Sequence, residues 1–119
     1  MKEKRRKFLK ILTIELEDLK EDIELMQDFY QTREQKGEIS SYVFKENLTL
    51  LKKEQACIEN ILESLVDLDL TCCMDLDDLV KKIEDHLLEK IKKSNYPEVV
   101  FILFKRRLSK VLQYIEEVV

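Results

Sequence analysis

The chain has 119 residues, 45% hydrophobic and 39% charged, with one Gly, one Pro, one His and no Trp. So few turn formers exclude the many tight connections of a β-sandwich or barrel and predict an all-helical protein. The 21 Lys and Arg against 25 Asp and Glu leave a formal net charge of −4, which favours solubility and exerts no global pull toward nucleic acid or acidic lipid.

This length suits a single domain, 1–119, able to bury most of its apolar surface without metal or disulfide staples. Three cysteines in no framework spacing argue against a secreted disulfide scaffold, so a reducing, cytoplasmic setting is expected. The basic start, MKEKRRKFLKILTIELEDLK, is broken by Lys10, Glu15, Glu17 and Asp18 and does not read as a signal peptide. The longest uninterrupted apolar run, Val99 to Phe104, is far short of the ~20 residues that span a bilayer, so no transmembrane segment is expected.

Along the chain the first seam is Leu9, Leu12, Leu16, Leu19, Ile23, Met26 and Tyr30, with the alternating steps of three and four of a helix packed nearly parallel to a neighbour. Gly37 suits the left-handed position that ends a helix, and Arg33 and Lys36 complement the negative end of its dipole. The first helix is therefore predicted over residues 3–36. Ser40 or Ser41 caps the second, whose seam reads Phe44, Leu48, Leu51, Gln55, Ile58, Leu62 and Leu65. Val43, Leu50, Cys57, Ile61 and Leu68 widen that face enough to meet two neighbours, which means a bundle. Gln55 either fixes register inside the seam or sits at its wet margin.

The stretch DLDLTCCMDLDD breaks the period, and Asp75 with Asp78 caps a third helix. Its seam is Leu76, Val80, Ile83, Leu87 and Ile91, flanked by Leu79 and Leu88, until Pro97 stops it at KKSNYP. Pro97 also suits the first turn of a fourth helix with the seam Val100, Phe104, Leu108, Val111, Ile115 and Val118. The short connections predict an antiparallel up-down four-helix bundle in which a long hairpin packs on a shorter one. Within it, VVFILF is either buried on every side or offers one face to a partner.

At 1.5 Å per residue the first two helices span about 50 and 43 Å and the last two about 30 and 35 Å. Aligned at the DLDLTCCMD end, the first hairpin projects roughly 10 to 15 Å beyond the second. Its tip carries Phe29, Tyr30, Tyr42, Val43 and Phe44, a cluster expected to meet a protein partner or a second copy of the chain, giving a dimer. Lys2, Lys4, Arg5, Arg6, Lys7 and Lys10 form an alternative, anion-binding candidate for nucleic acid or an anionic surface. An antiparallel bundle sets that segment beside Asp67, Asp69, Asp75, Asp77, Asp78, Glu116 and Glu117, so charge is expected to be neutralised internally. Arg106 and Arg107 are expected at the height of Glu17 to Glu21.

Chemistry-bearing constellations are sparse. Cys57 lies about 18 Å along a helix from Asp69, too far to share an ion with Cys72 or Cys73, and those two are expected to close the bundle end as small apolar groups. His86 has Ile83 three residues before it instead of the Glu of a di-iron bundle, and Glu84, Asp85 and Glu89 are expected to raise its pKa modestly at an exposed flank. One glycine excludes a Gly-rich phosphate loop, and no nucleophile motif occurs. The expectation is a non-enzymatic protein–protein interaction module with no cofactor and no metal.

Overall fold

The computed structural model describes residues 2–118 by backbone and 2–117 by side chain. Four helices follow one another: α1 (Lys2–Gln35), α2 (Ser41–Asp67), α3 (Leu76–Lys93) and α4 (Val99–Val118). Each boundary has a local cause. Gly37, at φ +74°, closes α1 in a Schellman motif, where Glu38 N–H bonds the Arg33 carbonyl at 2.9 Å and Gly37 N–H that of Glu34 at 3.0 Å. Ser40 caps α2 by accepting from Val43 N–H at 3.2 Å. Asp75 accepts from Asp78 N–H at 2.8 Å while Asp78 accepts from Met74 N–H at 3.3 Å, a reciprocal cap for α3.

The end of α3 holds a feature the sequence reading passed over. Asn95, at φ +54°, takes the left-handed position, and Tyr96 N–H bonds the Ile91 carbonyl at 3.0 Å. Asparagine tolerates that conformation because its short polar side chain bonds locally. Pro97 lies just before α4 rather than inside it, with tight i to i−3 bonds from Val100 and Phe101 opening the helix.

Side-chain pairs fix the directions. Lys20 meets Glu59 and Gln27 meets Gln55 between α1 and α2; Glu15 meets Lys110 and Asp22 meets Arg107 between α1 and α4. Ser64 meets His86 between α2 and α3. Rising numbers on one helix meet falling numbers on the next, so neighbours run antiparallel. The protein is an all-α four-helix bundle in which α1 packs along both α2 and α4, and α3 packs chiefly on α4.

The core is Phe8, Leu12, Leu16, Leu19 and Ile23 from α1; Leu51, Cys57, Ile58, Ile61 and Leu65 from α2; Leu79, Ile83, Leu87 and Ile91 from α3; and Val100, Phe104, Leu108, Val111 and Ile115 from α4. The fourth seam holds as far as Ile115, while Val118 lies outside the described side chains. Several positions depart from the expected seams: Phe8 is fully buried where Leu9 is half-buried, and on α3 Leu79 is fully buried where Leu76 and Val80 are half-buried. Met26 leaves the core because α4 begins at its height, and on α2 the bundle-facing position belongs to Glu54 instead of Gln55. Gln55 sits half-buried at the α1–α2 margin, bonded to Gln27 at 2.7 Å, Glu24 at 3.1 Å and Glu59 at 3.3 Å.

The molecule measures 54 × 31 × 19 Å, with a radius of gyration of 16.6 Å. A compact chain of this length has roughly 13–14 Å. The excess is the projecting end of the long hairpin. Arg107 sets its position: its guanidinium bonds Glu15 at 2.7 Å, Asp18 at 2.8 Å and Asp22 at 3.2 Å, while Lys110 bonds Glu15 at 3.1 Å. Arg107 beside Glu15 holds that carboxyl below the ordinary carboxylate range. A folded pKa below the unfolded one stabilises the fold above the unfolded value, near 4.5, and the benefit is lost as pH falls through the lowered value. Arg107→Met should cost about 2 kcal/mol at pH 7 in urea unfolding, with the difference shrinking as pH falls below 4.

Candidate functional site

α4 starts at Val99, and Val99 to Arg107 rises about 12 Å, which brings the start of α4 level with Met26 of α1. From Met26 to Gln35 the first helix continues for about 13 Å with the α4 side uncovered. The uncovered part extends a face already in use. On α1 the stripe Glu15, Asp18, Asp22, Met26, Phe29, Arg33 follows steps of three and four; its first three members hold Arg107 and the next two are exposed apolar side chains. On α2 the residues Ser64, Asn60, Lys53, Leu50, Glu46 and Val43 share one stripe, in steps of three, four and, between Asn60 and Lys53, seven. Its first two members bond His86 and Tyr96, and the rest stand beyond the end of α3.

The overhang is thus a two-helix platform whose open side is the continuation of the bundle interior. Phe29 is 58% exposed, Tyr42 73% and Val43 41%. Tyr30 is half-buried against the core and Phe44 is half-buried on α2. The five tip candidates therefore divide into three that face solvent and two that are half-buried. Leu25, Met26 and Leu50 are exposed there as well. The sequence reading counted Met26 and Leu50 among seam positions and did not single out Leu25, because their exposure depends on where a different helix stops. Arg33 anchors the surface, with its guanidinium 5.6 Å from the Phe29 ring centre and 3.2 Å from the Glu38 carboxylate, and Phe29 stands edge-on to Tyr30 at 6.0 Å.

Glu54 lies at the foot of this platform, 8% exposed, with no ion pair among the described residues. Burial pushes its carboxyl above the ordinary range. At the opposite end of the bundle the basic segment is partly engaged: Arg5 donates to the Leu70 carbonyl at 3.2 Å, Arg6 pairs with Glu3 at 3.0 Å, and Lys4 shares a shallow depression with Asp75, Asp77 and Glu116. Lys2, Lys7 and Lys10 face solvent. The ion pair of this segment, Arg6 with Glu3, is local, while Arg5 meets a neutral carbonyl.

Elsewhere, the paired cysteines separate. Cys73 closes the bundle end as expected, but Cys72 turns outward, with the Lys82 ammonium 3.3 Å from its sulfur. Burial pushes the Cys57 thiol up to about 12 and leaves it unreactive. His86 departs from expectation: it is half-buried in a polar groove between α2 and α3, and burial, with Lys90 nearby, lowers its pKa instead of raising it. Its Nε2 lies 2.8 Å from the Ser64 hydroxyl, which donates to the Ile61 carbonyl at 2.8 Å. Among the described residues no three His, Cys, Asp or Glu converge as metal ligands, and no helix is long and apolar enough to cross a membrane. No family model, curated protein or solved structure matches this chain.

Glu54 provides a test of how the platform's foot is built. A folded pKa above the unfolded one favours the protonated acid, so the carboxyl carries no penalty below the unfolded value, near 4.5, and acquires one as pH rises through the raised value. Glu54→Gln should raise the urea midpoint at pH 7 and lose that advantage by pH 4.

Proposed function

We propose that this chain is a non-enzymatic protein–protein interaction module, an adaptor, regulator or assembly subunit, that docks through the open side of the overhang. One observation carries the reading: Met26 and Phe29 on α1, with Val43 and Leu50 on α2, extend the surface that α3 and α4 cover lower down, and here none of the described residues covers it. Apolar faces of packed helices are buried by other helices, so the fitting partner surface is itself helical. Arg33 and Tyr42 at the rim belong to the residue types that anchor such contacts. The reading also agrees with a reducing, cytoplasmic setting, in which the three thiols stay free.

Phe29 and Tyr42 are exposed, so replacing them tests docking without emptying the core. Phe29→Glu with Tyr42→Glu should change unfolding free energy by less than about 0.5 kcal/mol while abolishing protein cross-links formed at the tip in native extract. Cross-links of unchanged yield and partner would overturn the docking reading. The alternative role for Lys2, Lys4, Arg5, Arg6, Lys7 and Lys10, binding nucleic acid or an anionic surface, rests on charge alone. Under our reading, duplex and single-stranded DNA show no retention in a mobility shift at low salt; binding that weakens steeply with salt would instead favour the basic segment.

A further inference from the structure

We propose that the occupant of the open platform is a second copy of this chain, turned end for end, so that the two overhangs lap over each other. This rests on the docking reading and specifies its partner. Length comes first. The uncovered part of α1 runs from Met26 to Gln35, about 13 Å, and ends against the Ser94–Glu98 connection at the head of the shorter hairpin. A copy rotated about a perpendicular two-fold axis brings an overhang of the same length into that step, and completes locally the four-helix cross-section found in the rest of the molecule.

Charge then fits the antiparallel arrangement. The open stripe of α2 carries Glu46 toward the tip and Lys53 toward the foot, both exposed, with Leu50 between them. End-for-end pairing sets Glu46 of each copy against Lys53 of the other, whereas a parallel face-to-face pairing would bring the two shorter hairpins into the same space. Register agrees independently. Lys20–Glu59 and Gln27–Gln55 place α1 residues 30 and 31 level with α2 residues 49 and 50. That level is the midpoint of the uncovered α1 segment and also the midpoint between Glu46 and Lys53. One two-fold axis therefore satisfies both the steric step and the charge pairing, and brings Leu50 against its symmetry mate.

A lap this short buries an area at the low end of specific interfaces, below ~1,200 Å² in total, so the dissociation constant is expected on the order of 10 µM. Sedimentation of the full-length reduced chain, from about 1 to 300 µM, should show a monomer–dimer equilibrium across that range. Glu46→Lys and Lys53→Glu, each tested alone, should weaken it about tenfold because each creates two repulsive pairs per dimer. Mixing the two single variants should restore wild-type affinity as a heterodimer, since every 46–53 contact is then between unlike charges.

A monomer throughout the range overturns the second-copy proposal. In that case, loss of tip cross-links to a different protein in the Phe29→Glu, Tyr42→Glu variant would keep the docking reading. A dimer indifferent to these charge changes overturns the lap, because it would use another surface.

Discussion

The position of α4 on α1 is the constraint from which the shape of this protein follows. A guanidinium that is 18% exposed, held by three carboxylates spaced 15, 18, 22 along α1, allows one axial position for the fourth helix. Sliding α4 by one turn away from it would leave the Glu15 carboxylate, itself only 18% exposed, without its counter-ion. Apolar seams by themselves tolerate such slips, because leucine on leucine packs almost as well a turn away. The arginine supplies the specificity that the seam lacks, and in fixing α4 it also fixes how much of α1 stays uncovered.

A consequence is that the same stripe of one helix does two jobs. Glu15, Asp18 and Asp22 bind α4, whereas Met26 and Phe29 farther along are exposed apolar side chains. α2 repeats the pattern, with Ser64 and Asn60 bonded to α3 and its connection, and Leu50 and Val43 beyond them. Beyond the second hairpin the two helices thus carry exposed Met26, Phe29, Leu50 and Val43, interleaved with charged Arg33, Glu46 and Lys53. Other exposed apolar side chains, Ile14, Val66 and Met74 among them, lie elsewhere on the molecule.

Tight local geometry supports this arrangement. The α1–α2 turn at the extreme tip is closed by a Schellman motif, a serine cap and the Arg33–Glu38 pair, all formed within the hairpin. Tyr30 packs against the core from inside the hairpin. The overhang is therefore held by contacts within the hairpin itself.

Much of this was legible in the sequence. Helix number, the Gly37, Ser40 and Asp75 boundaries, the core faces of α1, α3 and α4, and the unequal hairpins all follow from periodicity and capping chemistry, which act within a few residues. The facing of basic α4 by acidic α1 was visible as charge pattern, although only packing selected Arg107 over Arg106. What sequence could not decide were properties set by a neighbour. Whether Met26 is core or surface depends on where α4 begins; whether α2 turns Glu54 or Gln55 inward is a rotation of one position that its broad apolar face permits. His86 loses proton affinity because burial beside α2, with Lys90 nearby, outweighs the opposing Glu89 carboxylate, and that burial exists only once α3 packs. Local patterns are set by covalent spacing and are read directly, whereas burial belongs to pairs of elements and exists only once the helices are assembled.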